Sequence, residues 1–94
     1  MTERSSEGLD ERRKKLLFRA WRRGVRETDL IVGRFADAYI GKLDEPALDE
    51  FVRLMEVSNS DLYSWVSGAD IPAHYDTAVL RQLKDFHARA KEER

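Results

Sequence analysis

Arg22-Arg23-Gly24-Val25-Arg26-Glu27-Thr28-Asp29 separates a basic amphipathic run from an apolar one. Gly24 is its one glycine, the residue type that most readily ends a helix in a left-handed conformation. Upstream, Leu9, Leu16, Leu17, Ala20 and Trp21 recur at helical spacing, with Arg12, Arg13, Lys14, Lys15, Arg19 and Arg22 between them. Asp10 suits an N-cap, and Glu11 favours the positive end of the helix dipole. On this reading Arg22 and Arg23 occupy the last turn of the first helix and Gly24 is its C′ residue. Downstream, Glu27 or Thr28 opens a second helix with Asp29 in its first turn. Its apolar stripe is Ile31, Val32, Phe35, Ala38 and Tyr39, widened by Leu30. A turn of about three residues makes the two helices neighbours that meet at a sharp angle.

The same signals repeat along the chain. Gly33 lies inside the second helix at a cost of about 1 kcal/mol relative to alanine, which points to close packing of another helix there. Gly41 ends that helix. Asp44-Glu45-Pro46 combines a capping acid with a first-turn proline, and Leu48, Phe51, Val52 and Met55 follow as a third stripe. Ser58 with Asp61 resembles a weakened capping box, opening a short fourth helix through Leu62, Trp65 and Val66 that stops at Gly68. Ala69-Asp70-Ile71-Pro72 is a loop, because proline disfavours helix at the residue before it. From about His74 or Asp76 a fifth helix carries Val79, Leu80, Leu83, Phe86 and Ala90. Strand-length alternation is lacking, and no repeat is visible. The expected fold is all-α: a single compact bundle of five short helices over residues 9–91, with a disordered arm at 1–8 and a frayed tail at 92–94.

Composition narrows the function. With 94 residues and no cysteine, the chain suits one modest core and excludes disulfides, thiolate metal sites and a cysteine nucleophile. No apolar run approaches the roughly 20 residues that span a bilayer. The first eight residues read as neither a secretory signal nor a transit peptide, so the cytoplasm is the expected location. Charge is unevenly placed: residues 1–26 hold nine bases against four acids, and residues 27–76 hold three bases against eleven acids. Such a polar chain suits docking on a protein of mixed charge. The basic face of the first helix could track phosphates, but acids interleave it, and the long side chains can equally shield apolar surface.

Catalytic constellations are missing. The glycines are scattered, His74 and His87 stand in separate contexts, and acid pairs such as Asp49/Glu50 and Glu92/Glu93 fall on helix faces. No metal-ligand set appears. Phe18 and Tyr63 fall off their helices' main stripes and are the expected exposed aromatics. Arg23 and Glu27, four residues apart, would form an ordinary surface pair in a continuous helix. Interrupted by Gly24, they flank a corner instead. Capping and dipole effects account for all three residues and leave a docking role open.

The order Arg23-Gly24-x-x-Glu27, followed by Asp29, resembles the Arg-Gly-x-x-Glu signature of the bacterial and mitochondrial FAD assembly factors of succinate dehydrogenase. In bacteria these are known as SdhE, formerly YgfY. Arg22 through Asp29 looks like the family's extended signature. Phe51-Val52-Arg53-Leu54-Met55-Glu56 followed by Asp61-Leu62-Tyr63-Ser64-Trp65 looks like its second block, and the likeness covers about residues 12–90. The resemblance implies a compact five-helix bundle that promotes covalent attachment of FAD to a histidine of the flavoprotein subunit of succinate dehydrogenase. In some bacteria fumarate reductase is served as well. Such a protein is an assembly chaperone and no enzyme; FAD is delivered to or held by the partner, and none is bound tightly by this chain. The implied partner-binding residues are Arg23, Gly24 and Glu27, with Arg22 and Asp29 beside them. Gly24 would admit close backbone approach, and Arg23 and Glu27 would orient the partner by opposite charge. A free monomer is expected. Some family members have been labelled antitoxins, so the alternative is an antitoxin-like or nucleic-acid-binding regulatory module.

Overall fold

A computed structural model of the chain describes residues 8–92, and all regular structure among them is helical. Helix α1 spans Glu11–Ala20, α2 Arg26–Tyr39, α3 Glu45–Met55, α4 Asn59–Val66 and α5 Ala78–Glu92, with a 3-10 turn at Ala73–Tyr75. The expected five-helix bundle is therefore present. Of the expected arm only Gly8 falls among the described residues, and of the expected tail only Glu92, which ends α5.

Three helix starts are set by the side chains the sequence offered. Asp10 Oδ1 accepts from the Arg13 N–H at 2.9 Å, Asp44 Oδ1 from Ala47 at 3.0 Å and Ser58 Oγ from Asp61 at 3.1 Å. Each satisfies an N–H that has no helical partner. Helix α4 closes in a Schellman arrangement: Gly68, at φ +122°, donates to Trp65 O at 3.2 Å, and Ala69 donates to Ser64 O at 2.9 Å.

Four local expectations need correction. Helix α1 ends at Ala20, so Arg22 and Arg23 lie beyond it and Gly24 is no C′ residue. Two side-chain interactions outcompete a further helical turn. The Arg23 N–H donates to Asp29 Oδ1 at 2.7 Å, and the Trp21 indole is drawn onto α2, where Nε1 donates to Asp37 Oδ1 at 3.3 Å. Helix α2 begins at Arg26, slightly earlier than expected, and Val25 caps it without a side-chain acceptor. Its buried row continues through Ala36 and Ile40, leaving Ala38 exposed. Helix α5 starts at Ala78, later than His74 or Asp76. The chain first makes its 3-10 turn, and Glu50 Oε1 then accepts from the Val79 N–H at 3.2 Å.

What packs on Gly33 is a side chain rather than another helix: a Cβ there would lie 2.3 Å from Trp21 Cδ2. Phe35, Leu48, Phe51, Leu62, Leu80 and Leu83 are wholly buried and make the centre of the core. Helix α5 packs across α2, α3 and α4, while α1 lies against α2 and α3. This arrangement brings the α1–α2 turn against the α3–α4 junction.

Candidate docking site at the α1–α2 turn

All three arginines on α1 are engaged within the fold. Arg12 bonds Glu45 at 2.7 Å and Asp49 at 2.6 Å, and Arg19 reaches Glu56 at 3.4 Å. Arg13 donates through Nε to Ile40 O at 2.9 Å and through Nη2 to Leu43 O at 2.6 Å, closing the end of α2. Arg12 and Arg19 thus meet acids of α3 and of the residue that follows it, while Lys14 and Lys15 beside them are exposed.

Arg23 also turns inward. Its Nε donates to Asn59 Oδ1 at 2.7 Å, Nη1 to Met55 O at 3.3 Å, and Nη2 to Val57 O. Asn59 Nδ2 returns a bond to Arg23 O at 3.3 Å. Thr28, the one buried polar residue among those described, places Oγ1 2.9 Å from Asn59 Oδ1 and 3.1 Å from Val25 O. Burial pushes the Arg23 guanidinium below its ordinary pKa, an effect that Asp29 opposes and Arg19 adds to. Carbonyl dipoles at the end of α3 suit a cation placed there. No buried side-chain nitrogen or oxygen among the described residues lacks a partner.

The five expected site residues therefore divide. Arg23 and Asp29 belong to one internal network, whereas Arg22, Gly24 and Glu27 are exposed. Arg23 and Glu27 do not form an opposed pair at the surface. Gly24 adopts φ +97°, and a Cβ on it would meet nothing within 4 Å, so inside this chain the glycine is required by backbone conformation. Arg22 lays its guanidinium over Phe18, 3.9 Å from the ring centroid.

Among the described residues, three large hydrophobic side chains are exposed: Phe18 at 58%, Val25 at 41% and Tyr63 at 46%. All three line grooves that meet at this turn. Phe18 and Tyr63 were legible as off-stripe aromatics. Val25, Thr28 and Asn59 were missed. Asn59 follows the Ser58 cap directly, yet nothing local shows that its amide reaches back to Arg23. No metal-binding cluster occurs among the described residues.

Comparison with known proteins identifies the family. The family model described as flavinator of succinate dehydrogenase matches residues 14–87. The mitochondrial succinate dehydrogenase assembly factor 2 of Saccharomyces cerevisiae is 30% identical over 96% of this chain and 59% of its own length. Its counterpart in Dictyostelium discoideum is 35% identical over 81% of this chain and 55% of its own. The chain thus spans a little over half the length of these relatives. From the matched span, the chain belongs to the family of succinate dehydrogenase flavinators.

Proposed function

We propose that this chain docks on the flavoprotein subunit of succinate dehydrogenase through the α1–α2 turn and promotes covalent attachment of FAD to a histidine of that subunit. The observation that carries the docking surface is the convergence of exposed Phe18, Val25 and Tyr63 round Gly24 and Glu27. Isolated exposed apolar residues are ordinary, but their gathering at one turn supports reading it as an interaction site. Family membership supports the choice of partner.

The chain acts as an assembly factor and not as an enzyme. Flavinylation requires the flavin ring, the target histidine and the surrounding domain to be held in one geometry. A protein that binds that arrangement selectively raises its population. FAD is carried by the partner, and this chain supplies shape and charge. Gly24 admits a partner's backbone at the corner, while Glu27 and Arg22 orient it. The flavoprotein of fumarate reductase is a second partner under the same mechanism. The free chain is a monomer and works in the cytoplasm.

The test is a pull-down of the flavoprotein with in-gel flavin fluorescence, comparing wild type with Glu27→Ala and Tyr63→Ala. Both variants should lose partner and covalent flavin signal together. An undiminished fluorescent band with both would overturn the assignment.

A further inference from the structure

The turn parts two grooves of opposite charge. The first is walled by Phe18, Arg19, Arg22, Arg23, Met55 and Asn59, among others, and has no carboxylate in its lining. The second is walled by Val25, Glu27, Thr28, Asn59, Ser60 and Tyr63, with one carboxylate and no cation. Asn59 stands in both walls, so the grooves adjoin.

The charges at their mouths are available. Arg23 is spent on carbonyls, and Arg19 shares Glu56, but Arg22 and Glu27 have no ion-pair partner among the described residues. Arg12, Arg13, Arg81 and Arg89 each hold a carboxylate, whereas Arg26, Arg34 and Arg53 share with Arg22 the lack of one among the described residues. Arg22 is moreover steadied on the Phe18 face, which presents its guanidinium in a limited range of directions. Glu27 lies in the first turn of α2, anchored by a helix whose adjoining Thr28 is buried.

Resting on the docking reading above, we infer that the flavoprotein segment seated on this turn is bipolar. Its carboxylate side chain enters the Arg22–Phe18 groove, its lysine or arginine enters the Glu27–Tyr63 groove, and an apolar contact on Val25 lies between. A polyanion such as nucleic acid or a phosphate-bearing ligand spanning both grooves would meet Glu27 unfavourably. A bipolar segment satisfies both mouths and can sit in one orientation only, because reversal places like charges together. Charges arranged in this way govern orientation and association rate more than they govern final affinity.

Two measurements on the complex of the full chain with the apo-flavoprotein test this. In the first, binding kinetics are taken for Arg22→Glu, Glu27→Lys and the double reversal at low and high salt. Each single reversal is expected to slow association about tenfold at low salt, with the difference shrinking as salt screens it. In the second, the photo-crosslinker p-benzoylphenylalanine is placed at Phe18 or at Tyr63 and the crosslinked peptides are sequenced. The peptide from the Phe18 position should carry Asp or Glu beside the crosslink, and that from Tyr63 Lys or Arg. If both positions crosslink the flavoprotein but the peptides lack those charges, or the reversals leave association unchanged, the bipolar occupant is wrong and the docking surface stands. If a complex forms and neither position crosslinks, the docking surface itself is wrong and the inference goes with it.

Discussion

Arg23 Nε donates to Asn59 Oδ1 at 2.7 Å and so ties the turn after α1 to the first residue of α4. The same guanidinium reaches the carbonyls of Met55 and Val57. One side chain thereby sets the α3–α4 junction against the turn that carries Glu27. Arg23 works inside the fold, and Glu27 faces outward.

This division predicts different outcomes at the two positions. Arg23→Ala is expected to lower stability in urea by about 2 kcal/mol, the scale of lost hydrogen bonds from a charged donor. Arg23→Lys should recover little of it, because an ammonium cannot reproduce the divergent N–H groups of the planar guanidinium. Glu27→Ala should change stability by less than about 0.5 kcal/mol, as exposed substitutions do, while reducing flavinylation of the partner. Equal destabilisation by Arg23→Ala and Glu27→Ala would contradict the division.

At Gly24 the constraint is backbone conformation, since φ is +97° and a Cβ would find open space. Gly24→Ala should therefore cost about 1–2 kcal/mol from strain alone. Gly24→Leu should cost a similar amount and also obstruct the corner. Circular dichroism should report nearly intact helix for Gly24→Leu while in-gel flavin fluorescence of the partner is lost. Normal flavinylation by that variant would remove Gly24 from the docking surface.

Gly33 is constrained by packing instead. Its Cβ would sit 2.3 Å from Trp21 Cδ2, so Gly33→Ala must displace the indole from α2. Overpacking of this kind costs about 1–3 kcal/mol, against a gain of about 1 kcal/mol in helix propensity, so net destabilisation is expected. In a Trp65→Phe background the emission of Trp21 should move to longer wavelength as the ring becomes wetter. An unshifted spectrum with raised stability would show that the ring yields without cost.

Asp10 supplies a pH dependence. Its hydrogen bond from the Arg13 backbone, together with the Arg13 charge, holds its carboxyl below the ordinary value of 3.8, although desolvation opposes them. A carboxyl whose folded pKa is depressed stabilises the fold above its unfolded pKa and loses that contribution as pH falls through the folded one. The stability difference between wild type and Asp10→Asn should be full at neutral pH and vanish in strong acid, as followed by urea unfolding across pH. A difference that stays constant down to pH 2 would mean that the carboxylate charge contributes nothing.

The sequence by itself determined the five helices, because stripe spacing, the caps at Asp10, Asp44 and Ser58, and Gly68 are local signals acting within a turn or two. It also determined the family, since the match runs through residues 14–87 of the chain. Where α1 stops was decided by tertiary structure, as Asp29 and α2 took up groups that another helical turn would have used. So was the direction of Arg23. Its partners at positions 55, 57 and 59 lie more than thirty residues away, and a hydrogen bond over that distance exists only once the helices have packed. Read alone, Arg23-Gly24-x-x-Glu27 placed two charges on one corner. Packing turned the first inward onto carbonyls, half-buried, and left the second, with Arg22, facing solvent, because a guanidinium can satisfy three acceptors at once where α3 ends.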